Sequence, residues 1–353
     1  MPTTPPGAIT SLTAGEEHLP PVLSRAHMLT EAALRLEIGR LPPPLAKVSE
    51  YHLGWCDAAG NRRRPGGGGK GVCLALPILS AEAAGAEAAR GVPGAVALEL
   101  VHISTHMHDD IMDGDAWRRH RESVWKVFGI GPAILTGDAL LVLALRVLAA
   151  APVSSSAAVR TLSDACLDLA AGQALDLAYE GRALEDVDFE DYLDMAGGKT
   201  GALYSCALSI GAELVGAPAP AVTALRKAGR DLGIVAQIVD DINGIWGAPA
   251  VTGKPVLGDL LRRKKSLPVI AVLRAQGSVR ERFLELWLVD KATDRTARAM
   301  LAALEDAHAR EFCNAQAERY YQQTLAHLEG LDMPDRVRAG ITDLGRFIRH
   351  RQA

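Results

Sequence analysis

Three aspartates, Asp109, Asp110 and Asp113, stand within five residues in an otherwise apolar stretch, ALELVHISTHMHDDIMD. Apolar residues recur through it at helical spacing, so it reads as a helix buried along most of its length. Positions i and i+4 of a helix share a face, which sets the Asp109 and Asp113 carboxylates side by side. Acids so placed repel one another and resist burial. A solvated acidic face is the commoner origin of a charge run, but the apolar flanks argue against it here. A bound cation resolves the conflict, and carboxylates without Cys or His partners suit Mg²⁺ shared with phosphate oxygens. A second pair, Asp240-Asp241, lies in an equally apolar helical stretch, GIVAQIVDDINGIW. The two stretches echo each other, with Gly244 standing where Asp113 stands in the first.

The rest of the chain follows the same helical habit. Ala and Leu dominate its 353 residues and aromatics make up 5%, a balance that favours helices over strands. Helix-period segments alternate with short breaks at Gly91–Gly94, Ala151–Ser156, Gly216–Pro220 and Gly247–Pro255. None alternates with period two for long, so no sheet is expected. The expectation is an all-α fold, with residues 1–24, rich in Pro, Thr and Gly, as a flexible tail and 25–353 as one domain. The first helix is expected from near Arg25 to before Pro42, and the run Asn61–Gly69 must be a loop.

Composition excludes several classes. Lys plus Arg number 38 and Asp plus Glu 42, a net charge of −4, which does not suit a chain that coats nucleic acid. The five cysteines are scattered and form no CxxC pair, so neither a disulfide framework nor a structural zinc is expected, and a reducing, cytoplasmic setting fits. No signal peptide is visible. The most apolar run, Ala139–Ala151, is short of the ~20 residues a membrane span needs and reads as a buried core helix.

Cations accompany the acids. Arg118-Arg119 follow the first motif; guanidinium grips phosphate oxygens two at a time. Gln237 lies one turn before Asp241, and Lys254, Lys264 and Lys265 follow downstream. Lys199-Thr200 adds an ammonium and a hydroxyl after Gly197-Gly198, at an expected helix kink. Two facing acidic helices with several cations make a box for a metal-clamped diphosphate.

The ordered series is specific: Gly69-Lys70, His102, Asp109-Asp110-Ile111-Met112-Asp113, Arg118-Arg119, Gly137-Asp138, Gln173, Gly198-Lys199-Thr200, Gln237, Asp240-Asp241, Gly253-Lys254-Pro255, and Lys264 before Leu267-Pro268. It resembles the trans-isoprenyl diphosphate synthase (polyprenyl synthetase) family from about Gly67 to Pro268. The resemblance implies an isoprenoid synthase-type helical bundle around a central cavity, a homodimer, and three Mg²⁺ ions on Asp109, Asp113 and Asp240. It assigns the allylic diphosphate to Asp110, Arg118, Lys199, Thr200, Gln237, Asp241, Lys254 and Lys264. It assigns isopentenyl diphosphate to Lys70, His102, Arg119 and an arginine three residues after Lys70. It implies growth of an allylic prenyl diphosphate by isopentenyl diphosphate, with prenyl diphosphates as its partners and no membrane anchor.

This chain departs from that pattern. Cys73 and Leu74 replace the expected Arg and Pro, and Gly244 and Ala248 replace two aspartates of the second motif. The allylic half is thus more intact than the isopentenyl half, which raises a rival: a class I terpene synthase on the same fold that ionises one prenyl diphosphate alone. A third reading is an inactive partner subunit, against which both Asp109 and Asp113 stand. Ser104 and Thr105 precede Asp109 by about one turn, where a growing tail passes in the family. Both are small, which implies a product of about geranylgeranyl length. His106 and His108 read as packing or hydrogen-bonding residues, since Mg²⁺ prefers oxygen, and Cys73 as a structural thiol.

Overall fold

Prolines set where the first helices begin. In the computed structural model, which describes residues 19–63, 69–151, 155–247 and 257–350, α1 (Pro21–Ile38) and α2 (Pro43–His52) each open on Pro in the first turn, where its missing N–H costs nothing. The first helix therefore starts four residues before Arg25. The chain continues through α3 (Val72–Ala83), α4 (Val92–Met112), α5 (Val124–Phe128), α6 (Ile130–Ala149), α7 (Ser155–Glu180), α8 (Phe189–Ala196), α9 (Ala202–Leu214) and α10 (Ala219–Trp246). It closes with α11 (Gly258–Leu261), α12 (Leu267–Val272), α13 (Ser278–Trp287), α14 (Asp294–Asp306), α15 (Ala309–Glu329) and α16 (Asp335–His350). The expectation of an all-α bundle holds.

All twelve residues of α3 are buried, as an all-round apolar helix must be. Around it α4 packs along α6, α9 along α3, and α10 along α9 and α15. One large apolar core joins these helices, and a smaller one gathers Ile245, Leu260, Phe283, Trp287 and Met300 near the C-terminal helices.

Two expectations need correction. A small sheet does form: Trp117–Arg118 pairs antiparallel with Arg121–Glu122, strands too short for a two-residue period to register. The apolar run around Ala139 begins nine residues earlier, so α6 spans 20 residues and is long and apolar enough, by length and composition, to cross a membrane. It is not a fully buried core helix either. Ala133, Leu140, Ala144 and Leu148 face the core, while Ile130, Ile134, Leu135 and Val142 are exposed. The readings made for residues 1–18, for 64–68 of the loop, and for Ala248 and Lys254 lie outside the described residues.

Candidate active site

A cavity of about 590 Å³ opens among α4, α7, α9, α10 and the hairpin. Of the residues singled out from sequence, Lys70, His102, Thr105, Asp109, Asp113, Arg118 and Arg119 line it from the N-terminal half. Lys199, Thr200, Gln237, Asp240, Asp241 and Lys264 line it from the other. The two Asp motifs thus border one space.

Two do not line it. Ser104 is 1% exposed, with its hydroxyl buried and unpaired, whereas Thr105 faces the cavity and donates to the His102 carbonyl at 2.9 Å. Asp110 is also turned away and buried. Its carboxylate accepts from Arg118 Nε at 2.8 and 2.9 Å and from Nη2 at 2.7 Å. Asp110 therefore holds an arginine that lines the cavity instead of lining it itself.

The hairpin that carries the arginines turns through Arg119 and His120, both with positive φ (51° and 60°). A two-residue turn of this kind needs positive φ at both positions, usually met by Asn or Gly. Each non-Gly residue so held costs about 1–2 kcal/mol. The strain is spent at the cavity wall, where Arg118, Arg119 and His120 all sit.

The kink expected at Gly197-Gly198 is one turn of π-helix, Gly197–Gly201, between α8 and α9. It packs against α7 at Gly172, where an added Cβ would overlap the Lys199 backbone. That close approach brings Lys199 Nζ to 2.6 Å from Asp176 Oδ2, with Lys264 Nζ at 3.8 Å on the same oxygen. Burial would raise the Asp176 carboxyl, but Lys264 and Lys199 outweigh it and hold it below the ordinary range. Burial would likewise lower Lys264, but Asp176, Asp259 and Asp241 raise it well above the ordinary lysine range. Lys264 is thus charged, and the shared Asp176 carboxylate fixes both lysine side chains at the cavity wall.

A second chain of bonds runs alongside. Thr200 Oγ1 donates to Gln237 Oε1 at 2.6 Å, Gln237 Nε2 donates to Asp241 Oδ1 at 3.0 Å, and the Leu267 N–H donates to Asp241 Oδ2 at 3.0 Å. Thr200, Gln237 and Asp241 therefore brace the π turn, α10 and α12 against one another. Lys265 points away from the cavity, to the Tyr179 and Glu180 carbonyls.

Sequence reading missed several lining residues, Asp259, Arg262 and His120, while Gln173 of the ordered series does line the cavity. Asp259 matters most. A side chain at Gly244 would collide with the Asp259 carboxylate, so Asp259 occupies the space left open by the glycine that replaces the third acid. It is 6% exposed and pairs with Arg262 at 3.2 Å. The only sequence signal was the coincidence of a missing acid at 244 with a spare one 15 residues downstream.

The acidic wall suits a hard cation. Five carboxylates line the cavity: Asp109, Asp113, Asp240, Asp241 and Asp259. Burial pushes the Asp109 carboxyl up, Lys199 pulls it down, and neighbouring Asp113 raises it again, leaving it above the ordinary range. Its charged form thus lacks a full counter-charge from the protein. Among the described residues, no three His, Cys, Asp or Glu side chains converge into a ready-made metal cage. An open, all-oxygen donor set of this kind fits Mg²⁺ completed by substrate phosphates.

Cys73 is 3% exposed, and burial pushes its thiol well above the ordinary range. It is a neutral group on the cavity wall beside Lys70, His102 and Arg119.

A model of the polyprenyl synthetase family matches residues 64–304. A (2E,6E)-farnesyl diphosphate synthase of Mycobacterium tuberculosis is 42% identical over 94% of this chain and 93% of its own length. A geranylgeranyl diphosphate synthase of the same species is 39% identical over 90% and 89%. The crystal structure of a polyprenyl synthetase from Streptomyces coelicolor superposes with a TM-score of 0.86 at 45% identity, covering 94% of this chain and 99% of that one.

Proposed function

The chain belongs to the polyprenyl synthetase family, and we propose that it couples an allylic prenyl diphosphate to isopentenyl diphosphate with Mg²⁺, yielding a prenyl diphosphate of geranylgeranyl length. One observation carries the reading. A single cavity is acidic along Asp109, Asp113, Asp240 and Asp259, and carries two separate sets of cations, Lys199 with Lys264, and Lys70 with Arg119. Two diphosphates are what such an arrangement accommodates.

Asp109, Asp113 and Asp240 are the residues that would hold three Mg²⁺ ions. Bound there, they would neutralise the charge that builds on the departing allylic diphosphate. Lys199 and Lys264, fixed by Asp176, donate to the same oxygens. Arg118 adds a guanidinium held in place by Asp110. Lys254 belongs to the same set in this reading. The other diphosphate rests on Lys70, His102 and Arg119, which aims the isopentenyl double bond at the allylic carbon. The tail extends along Thr105, Leu169, Leu203 and Ala236, all lining the cavity. None of these four is aromatic, which supports a long product, and Tyr204 also lines the cavity beside Leu203.

The exposed apolar residues of α6, together with Leu167 and Leu175 on neighbouring α7, support a homodimer, since such a face marks a protein contact. The length claim is tested by offering five-, ten- and fifteen-carbon allylic primers with excess isopentenyl diphosphate and chromatographing the dephosphorylated products. Geranylgeraniol as the longest major alcohol is expected. Arrest at farnesol would refute the open tail path.

A further inference from the structure

We propose that His106 is a diphosphate-binding residue of the isopentenyl site, supplying the contact that Cys73 cannot. The proposal rests on the coupling reaction proposed above and names a new ligand for one of its two substrates.

Helix α4 presents one continuous polar stripe. His102, His106, Asp109 and Asp113 recur at helical spacing, and all four line the cavity. His106 lies one turn from His102 toward the acids. Its ring centroid is 4.1 Å from that of His102 and 5.8 Å from that of His52 on α2. Three imidazoles from two helices thus form a ladder. Arg118 and Arg119 border it, since His52 shares a second pocket with both.

The ladder is poorly met within the protein, with only a long 3.8 Å pair between His102 and Glu99. His106 Nδ1, His102 Nδ1 and His52 Nε2 are buried and make no hydrogen bond. Such atoms are costly to leave unmet. The acids nearby are spent elsewhere on the ladder: Asp110 is engaged by Arg118, and Glu99 Oε2 pairs with His102 Nδ1 at 3.8 Å, which leaves the buried nitrogens of His106 and His52 unmet. Burial first, then the neighbouring histidines and arginines, pushes His106 and His52 well below the ordinary range, so both are neutral and each offers one N–H. The result is a cavity wall rich in donors and cations and poor in acceptors. An anion with several oxygens complements it, and Mg²⁺, which prefers oxygen donors, does not.

Packing alone does not account for His106. A residue serving only the core would be apolar or would have its nitrogens satisfied. His106 instead lines the same cavity as Cys73, where the cation is missing, and Arg119 acts on both side chains.

The test compares wild type with His106→Leu and His106→Gln. Calorimetry reads the binding of isopentenyl diphosphate alone, and steady-state rates read KM for each substrate separately. A hydrogen bond to a charged oxygen predicts about a ten- to hundredfold weakening for His106→Leu. His106→Gln, which keeps an N–H donor, recovers most of it. The allylic KM and the melting temperature stay within about twofold and 2 °C of wild type on this account. Wild-type isopentenyl diphosphate affinity in His106→Leu overturns the proposal, and so does an equal rise in both KM values. A wild type that binds no isopentenyl diphosphate defeats the coupling reading itself, a failure visible before any variant is compared. Independently of variant folding, ring-nitrogen NMR of the wild type is expected to show the His106 signal move on adding isopentenyl diphosphate. An unmoved signal counts against the contact.

Discussion

Replacing Asp110 with Ala separates the two roles hidden in one acidic motif. Asp110 is 1% exposed and makes three contacts of 2.7 to 2.9 Å with Arg118, whose side chain is 21% exposed. Removing the carboxylate leaves a largely buried guanidinium unpaired, which costs about 3–5 kcal/mol. The partial exposure of Arg118 lets water relieve some of this, so the lower end, about 3 kcal/mol, is expected. With a urea m-value of about 3 kcal/mol/M, the midpoint falls by about 1 M. Asp110→Asn keeps the shape and one acceptor and falls between. Asp113→Ala, half-buried and lining the cavity, changes stability by no more than about 0.5 kcal/mol while activity collapses. Urea unfolding followed by circular dichroism, paired with a turnover assay, reads both effects. An unchanged midpoint in Asp110→Ala refutes the assignment of Asp110 as the anchor of Arg118.

Gly172→Ala places a methyl against the Lys199 backbone, so the π turn must shift; a loss of about 1–3 kcal/mol is expected, with a raised KM for the allylic substrate, and a wild-type KM would contradict the positioning role. Asp176 has its carboxyl held low by Lys264 and Lys199. The stability it contributes is complete above its unfolded value near pH 4 and is lost as pH falls through the lower folded value. Asp176→Asn therefore flattens acid unfolding below about pH 4, and an acid titration with the wild-type slope would contradict this. Mg²⁺ alone is expected to bind weakly, because no protein cage exists among the described residues. Titrations are expected to show strong Mg²⁺ uptake only with inorganic diphosphate present, and tight uptake without it would refute the shared-ligand account.

The residues legible from sequence are those whose spacing itself carries the chemistry. Asp109 and Asp113 share a face by periodicity, and the apolar flanks placed them at a cavity. The same periodicity held more than was taken from it. One residue advances about 100° around a helix, which turns Asp110 off the shared face of Asp109 and Asp113 and onto Arg118. Ser104 points away for the same reason. What spacing cannot show is closure from a distance. Asp259 fills the gap at Gly244 only because α11 folds back over α10, and Asp176 meets Lys199 only because Gly172 admits the π turn. The hairpin was hidden because its left-handed turn falls on Arg119 and His120 in place of the usual Asn-Gly. Lys264 and Lys265 are adjacent in sequence, yet one faces Asp176 and the other the Tyr179 carbonyl.

The most direct measurement gives the purified protein Mg²⁺ and farnesyl diphosphate, with and without radiolabelled isopentenyl diphosphate, and analyses aqueous and organic phases. Label appearing in a longer, acid-labile prenyl diphosphate, with no product when isopentenyl diphosphate is omitted, is the predicted result. A hydrocarbon or alcohol formed from farnesyl diphosphate alone, with no label incorporated, would contradict the account. It would mean that Lys70, His102 and Arg119 no longer serve a second substrate.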